Sequence, residues 1–329
     1  MKIDLREDIF RIKNQTDFQI KALEVFKYQF DKNSVYHNFT SVLGKRRYTV
    51  KTLNGIPFLP VEFFRNHKIL TGNLPVEMTF ESSRTTGFGP AKHFINDLGL
   101  YEECFLKTFN LFYGDPEQYF IAALLPSYTE RGSSSLVYMA DKLIKKSRHP
   151  LSGFYKGNTE DLIIAIKKSK EENQKILLLG VSFALLDLAE KRAPDLSGAI
   201  VIETGGMKGR RKELTRQELH KILIEKFNVH SIHSEYGMTE LMSQAYSKGN
   251  GIFYCPPWMK VMIRDPQDPL SLYSETGKTG GINIIDLANI NSCSFIATSD
   301  LGRLHDDGGF EVLGRFDNSD IRGCNLLAD

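Results

Sequence analysis

The chain has 329 residues, 41% hydrophobic and 25% charged, enough for a large core of one or two domains. Its formal net charge of +2 supplies no global field for nucleic acid or an anionic membrane, so nucleic-acid partners are not expected. Four widely spaced cysteines, Cys104, Cys255, Cys293 and Cys324, contain no CxxC pair, which argues against a zinc ribbon or a dense disulfide framework and for reduced thiols.

The N-terminus, MKIDLREDIFRIKN, mixes charges into its apolar residues, and no run reaches the roughly 18 apolar residues of a membrane span. A cytoplasmic protein without a membrane span is expected. Residues 15 to 32 place Phe18, Ile20, Leu23, Phe26 and Phe30 at near-helical spacing, predicting an opening amphipathic helix. Strand-like and helix-like runs then alternate: PVEMTFESS before a helix from Pro90, YFIAALL before SSSLVYMADKLIKKS, KILLLGVS before FALLDLAEKR, GAIVIET before TRQELHKILIEKF, then VHSIHSEYG. This rhythm predicts an α/β fold with a mainly parallel sheet. From about Gly251 the pattern changes to short strands with Gly, Pro and Asp turns, including a hairpin around Asp306 to Gly309. The expected organisation is an α/β body over 1–250 and a β-rich subdomain with a C-terminal tail over 251–329.

Three segments can carry chemistry. SSRTTGFGPAKH, Ser82 to His93, reads as a strand, a Ser/Thr/Gly loop and a helix with Pro90 at its first position. Such a loop brings hydroxyls and backbone N–H groups onto anionic oxygens, with Ser82, Ser83, Thr85 and Thr86 as donors, Gly87 and Gly89 allowing close approach, and Lys92 adding charge. A polar surface loop is the plain alternative, and the Walker spacing is absent. SEYGMTEL offers a flat ring at Tyr236, a tight turn at Gly237, a hydroxyl at Thr239 and a hard oxygen ligand at Glu240; a capped helix start would use the same residues. In TSDLGRLHDDGGFEVLGRFDNSDIRG, Asp300 and Arg315 suit a ribose or a phosphate, or are turn and surface charges.

In order and combination, these segments resemble the signature regions of the adenylate-forming superfamily, where they read T-S-G-T-T-G-x-P-K, Y-G-x-T-E, T-G-D, G-R-x-D and K-I-R-G. Here they read SSRTTGFGPAK, YGMTE, TSD, GRFD and DIRG, departing at Arg84 and by one residue before Pro90. The resemblance implies use of ATP and Mg²⁺. It assigns ATP phosphate binding to Ser83, Thr85, Thr86, Gly87 and Lys92, adenine contacts to Tyr236, Gly205 and Gly206, nucleotide binding to Gly237, α-phosphate contact to Thr239, Mg²⁺ to Glu240, and ribose contacts to Asp300 and Arg315. With LPSYTERGSSSLVYM, ETGGMKGRR and RGCNLL, the chain is most similar to the acyl-protein synthetases of bacterial luminescence fatty acid reductase complexes. That family makes an acyl-adenylate from a fatty acid and loads the acyl group on a cysteine near its C-terminus, the position of Cys324. An acyl-reductase or acyl-carrier protein then receives it.

Larger superfamily members continue into a mobile domain with a catalytic lysine, whereas six residues follow Gly323, so this lid is expected to be absent. Lys92, Lys208, Arg210, Arg211 or a partner's residue would replace that lysine. A thiolate on a short tail, favoured by Arg322 and Arg315, could reach an acyl-adenylate intramolecularly. Three alternatives stand beside this reading. One is an acyl- or aryl-CoA ligase of the phenylacetate–CoA type, and another a non-catalytic nucleotide-binding scaffold. The last is an α/β-hydrolase-like acyltransferase whose nucleophile is Ser182 in Gly180-x-Ser182-x-Ala184, with His233 or His305 as base. In the adenylating reading Ser182 caps a helix.

Overall fold

The computed structural model describes residues 5–82, 89–126, 132–205 and 214–316. The chain forms two compact units. One comprises Phe64–Lys68 with Asn73–Pro256; the other comprises Met1–Phe63, Ile69–Gly72 and Pro257–Asp329.

The first unit is built on a six-stranded sheet in the order Gly153–Phe154, Tyr119–Leu124, Lys175–Val181, Ile200–Thr204, His233–Tyr236, Ala245–Ser247. The first five strands are parallel and Ala245–Ser247 runs antiparallel. Lys175–Val181 is buried along all but its first residue, as expected of a strand covered on both faces, which explains its unbroken Ile-Leu-Leu-Leu run. The intervening helices carry their own boundary signals. Arg216–Phe227 opens with a capping box, Thr215 and Glu218 each bonding the other's backbone N–H, and closes on Asn228 in the left-handed region. Leu185, Leu188, Leu219, Leu223 and Phe227 meet Leu178 and Val201 of the sheet in one apolar cluster. Gly180 is required here, since a Cβ would lie 2.8 Å from Leu185 Cγ and 3.1 Å from Leu124 Cβ.

Three local expectations change. The segment after the Ser/Thr/Gly loop is a strand, Lys92–Ile95, paired antiparallel with Met78–Glu81 in the register Phe80↔His93 and Glu81↔Lys92. His93 and Ile95 are buried while Lys92 is exposed, a period-two pattern; no helix starts at Pro90, and the next one, Leu98–Tyr113, begins after its cap Asp97. Tyr236 to Glu240 forms a strand end and a turn instead of a helix start, with Leu241 N–H donating to Met238 C=O at 3.1 Å. Ser182 is the first residue of its helix and makes no capping bond; the cap is Val181.

In the second unit, Met259–Arg264, Gly280–Asp286, Phe295–Leu304 and Phe310–Arg315 pair antiparallel in sequence order, and Leu59–Pro60 adds in parallel to Phe295–Leu304. The helix Gln15–Lys32 matches the predicted span. It is fastened by its buried Gln29, whose Nε2 donates to Asn289 and Ile290 carbonyls at 3.0 Å and whose Oε1 accepts from Ser294 N at 2.9 Å. Phe26, Tyr36 and Phe58 pack their rings around Phe295. Arg264 is buried and donates to the Ile282 and Thr298 carbonyls and to Asn283 Oδ1, an arrangement that satisfies a charge inside the sheet. It demands glycine alongside: a Cβ at Gly281 would stand 2.4 Å from its Cζ, and one at Gly280 2.2 Å from its carbonyl oxygen. Gly280→Ala is therefore expected to lower stability by about 1–3 kcal/mol, read from the urea midpoint, because the obstructing atom is backbone and cannot step aside.

Candidate active site

Open α/β sheets present ligand-binding loops at the carboxyl ends of their parallel strands. At that edge of the first unit lie Ser182, Gly205 and the turn from Gly237 to Glu240. Gly205 is exposed, has φ of +58° and directly follows Thr204. Tyr236 ends its strand buried at 9% exposure, with Phe253 edge-on at 5.9 Å. Gly237 is exposed, Thr239 half-buried and Glu240 buried. Met238 and Thr239 thus present themselves at the surface while the carboxylate of Glu240 lies beneath.

The hairpin strand Lys92–Ile95 reaches this turn through one bond that the motifs do not reveal: buried His93 holds its Nδ1 2.8 Å from the Thr239 carbonyl oxygen. Lys92 Nζ is 3.7 Å from Glu81 Oε1 across the hairpin, so its charge is shared with a carboxylate. Tyr236, Gly237, Thr239 and Glu240 are thus brought together, with His93 attached to them. Ser83, Thr85, Thr86, Gly87 and Gly206, together with Cys324, lie outside the described residues. In the other unit, Asp300 and Arg315 face each other in register, Arg315 Nε 3.4 Å from Asp300 Oδ1, with the arginine side chain 76% exposed.

Two further buried carboxylates underlie the edge. Glu203 sits among Ser182 Oγ at 2.9 Å, Arg216 Nε at 3.6 Å and His220 Nε2 at 3.6 Å. Burial pulls its pKa upward, but bonding to His220 and Ser234 and the charge of Arg216 outweigh it, so the carboxyl titrates below its usual range. This geometry counts against the hydrolase reading. Ser182 donates to Glu203 and lies 3.1 Å from the Gly205 carbonyl, and within this unit the carboxylate stands between it and His220, so its described bonds go to oxygen acceptors and not to an imidazole. His233 is engaged elsewhere, with Nδ1 3.3 Å from the Tyr113 hydroxyl, and burial, aided by Lys248 and His220, lowers its pKa to about 4.

Glu235, one strand over, accepts from Thr204 Oγ1. Burial raises its pKa to about 7, the Thr204 bond opposes this, and the charge of Glu203 adds to it. Its Oε1 occupies the space beside Gly237, where a Cβ would lie 2.2 Å away. A side chain after Tyr236 would have to displace that carboxyl, whereas glycine leaves open backbone at the surface. Of these residues Glu240 is the one whose carboxylate could hold Mg²⁺, which takes few protein ligands and completes its shell with phosphates and water. Among the described residues no group of three or more His, Cys, Asp and Glu forms an all-protein metal cage.

No family model matches the sequence, and no curated protein does. Solved structures do match. An ATP-bound MatB from Rhodopseudomonas palustris aligns at a TM-score of 0.54 and 15% identity over 73% of this chain and 48% of its own. The amide bond synthetase McbA from Marinactinospora thermotolerans aligns at 0.51 and 17%, over 73% and 49%. A double mutant of o-succinylbenzoate CoA synthetase from Bacillus subtilis, bound with a product analogue, aligns at 0.50 and 18%, over 74% and 50%. The chain spans about half the length of these proteins. Over about three quarters of its length the chain shares the α/β fold of these proteins.

Glu235 makes stability pH-dependent. Its folded pKa lies above the unfolded one, so the native state holds the proton more tightly and loses stability as pH rises from about 4.5 through about 7. Glu235→Gln removes that loss, and its advantage over the wild type should grow by about 2–3 kcal/mol between pH 5 and pH 8 in urea titrations.

Proposed function

We propose that this chain is an ATP- and Mg²⁺-dependent ligase that activates a long-chain fatty acid and transfers the acyl group to the Cys324 thiol, for delivery to a partner such as an acyl reductase or acyl-carrier protein in the cytoplasm. The observation that carries the reading is the Tyr236–Glu240 turn, with its Y-G-x-T-E residues at the carboxyl edge of a parallel sheet whose fold matches that of an ATP-bound protein.

In the first step the acid's carboxylate oxygen attacks the α-phosphorus of ATP, and the bond to the β-phosphate oxygen breaks. This gives acyl-AMP and pyrophosphate. On the sequence resemblance, Ser83, Thr85, Thr86, Gly87 and Lys92 are assigned the phosphates, Thr239 the α-phosphate, Tyr236, Gly205 and Gly206 the adenine, Gly237 the nucleotide, and Asp300 with Arg315 the ribose. Magnesium held by Glu240 would neutralise charge on the departing pyrophosphate. In the second step the Cys324 thiolate attacks the acyl carbon and AMP leaves with the bonding electrons, giving a thioester. Among the described cysteines, Cys104 and Cys293 are buried, and burial raises the Cys293 thiol to about 12, so both are poor acceptors.

Incubation with ATP, Mg²⁺ and labelled acids of graded length should yield acid-dependent AMP and a hydroxylamine-labile label. The label should be lost in Cys324→Ser and kept in Cys255→Ser. Label retained as a thioester on Cys324→Ser would sink the acceptor assignment, and label appearing only on added coenzyme A would favour a CoA ligase. Glu240→Gln should lower acid-dependent pyrophosphate exchange about 100-fold or more.

A further inference from the structure

The turn closed by Leu241 N–H and Met238 C=O has Thr239 and Glu240 as its central residues. The carbonyl between them is turned out of the turn's own hydrogen bond and must find a partner or lose stability through desolvation. It finds His93, 146 residues away in sequence. A carbonyl only accepts, so the ring is the tautomer carrying its proton on Nδ1. His93 is itself immobilised: it is 1% exposed, paired with Phe80 in the hairpin register, and set edge-on to Phe64 with ring centroids 5.7 Å apart. Because the peptide unit is planar, fixing the Thr239 oxygen also fixes the Glu240 N–H and the direction in which the Glu240 Cα leaves it.

We propose that His93 is a positioning residue that orients the Thr239–Glu240 peptide, and with it the Glu240 carboxylate that receives Mg²⁺, by donating from Nδ1 to the Thr239 carbonyl. The inference rests on the nucleotide-binding reading of this turn. It also gives the hairpin whose strands flank the Ser/Thr/Gly loop in sequence a mechanical role: its second strand is tied to the metal-binding turn. Groups that orient metal ligands typically change metal affinity by about 10–100-fold when removed.

The test compares His93→Asn, whose side-chain amide N–H replaces Nδ1–H, with His93→Gln and His93→Leu, which do not. Calorimetry measures binding of ATP with and without Mg²⁺ in the absence of acid, and hydrogen exchange follows amides 238–242 in the ligand-free protein. His93→Leu and His93→Gln should weaken Mg²⁺-dependent binding about 10-fold or more and speed exchange in the turn. Affinity for metal-free ATP should change little, and His93→Asn should stay within about 3-fold of wild type. Equal losses with and without Mg²⁺, or no rescue by asparagine, would overturn the positioning role. If the wild type binds MgATP with this mutant pattern yet catalyses no acid-dependent pyrophosphate exchange, the ligase reading fails while the role of His93 stands. A wild type that binds no MgATP overturns both.

Discussion

The buried carboxylate of Glu203 is the constraint around which the first unit's carboxyl edge is organised. An ionised carboxyl out of water is costly unless paired and hydrogen-bonded, and here compensation comes from three different elements. Ser182 comes from the start of the helix Ser182–Arg192, Arg216 and His220 from the helix Arg216–Phe227, and Ser234 from the neighbouring strand. Each of these elements is therefore held in register at the edge where the loops emerge. The arrangement also accounts for a serine that caps nothing: its hydroxyl is spent on the carboxylate, so the Gly-x-Ser pattern does not make a nucleophile.

On the opposite side of the same edge, Glu235 follows a different logic. It accepts from Thr204 and feels the charge of Glu203, so burial dominates and the group stays protonated to near neutrality. Its oxygen fills the volume next to Gly237, so a side chain there would have to move the buried carboxyl aside. Two carboxyls one strand apart thus have opposite charge states at moderately acid pH because their neighbours differ.

Much of the architecture was legible in the chain itself. The helix Gln15–Lys32, the βα alternation and the change to an antiparallel C-terminal sheet all follow from apolar periodicity and turn chemistry, which are local. The segment 90–97 was not legible. Pro90 reads as a helix start and Lys92-His93-Phe94-Ile95 is too short for its period to separate strand from helix; pairing with Met78–Glu81 decides it. Ser182 beside Gly180 likewise reads as a cap or a nucleophile until Glu203 is seen against it.

The sequence alone determined which residue types could serve a nucleotide and in what order, because motif chemistry depends on neighbours along the chain. Only the tertiary structure decided that His93 anchors the Thr239 carbonyl, that Ser182 serves Glu203, and that the Glu235 carboxyl occupies the space beside Gly237. Two of these contacts join groups far apart in sequence, and the third depends on how the strand end folds back on itself. A hydrogen bond or a clash is a fact of distance in space, which no pattern along the chain encodes directly.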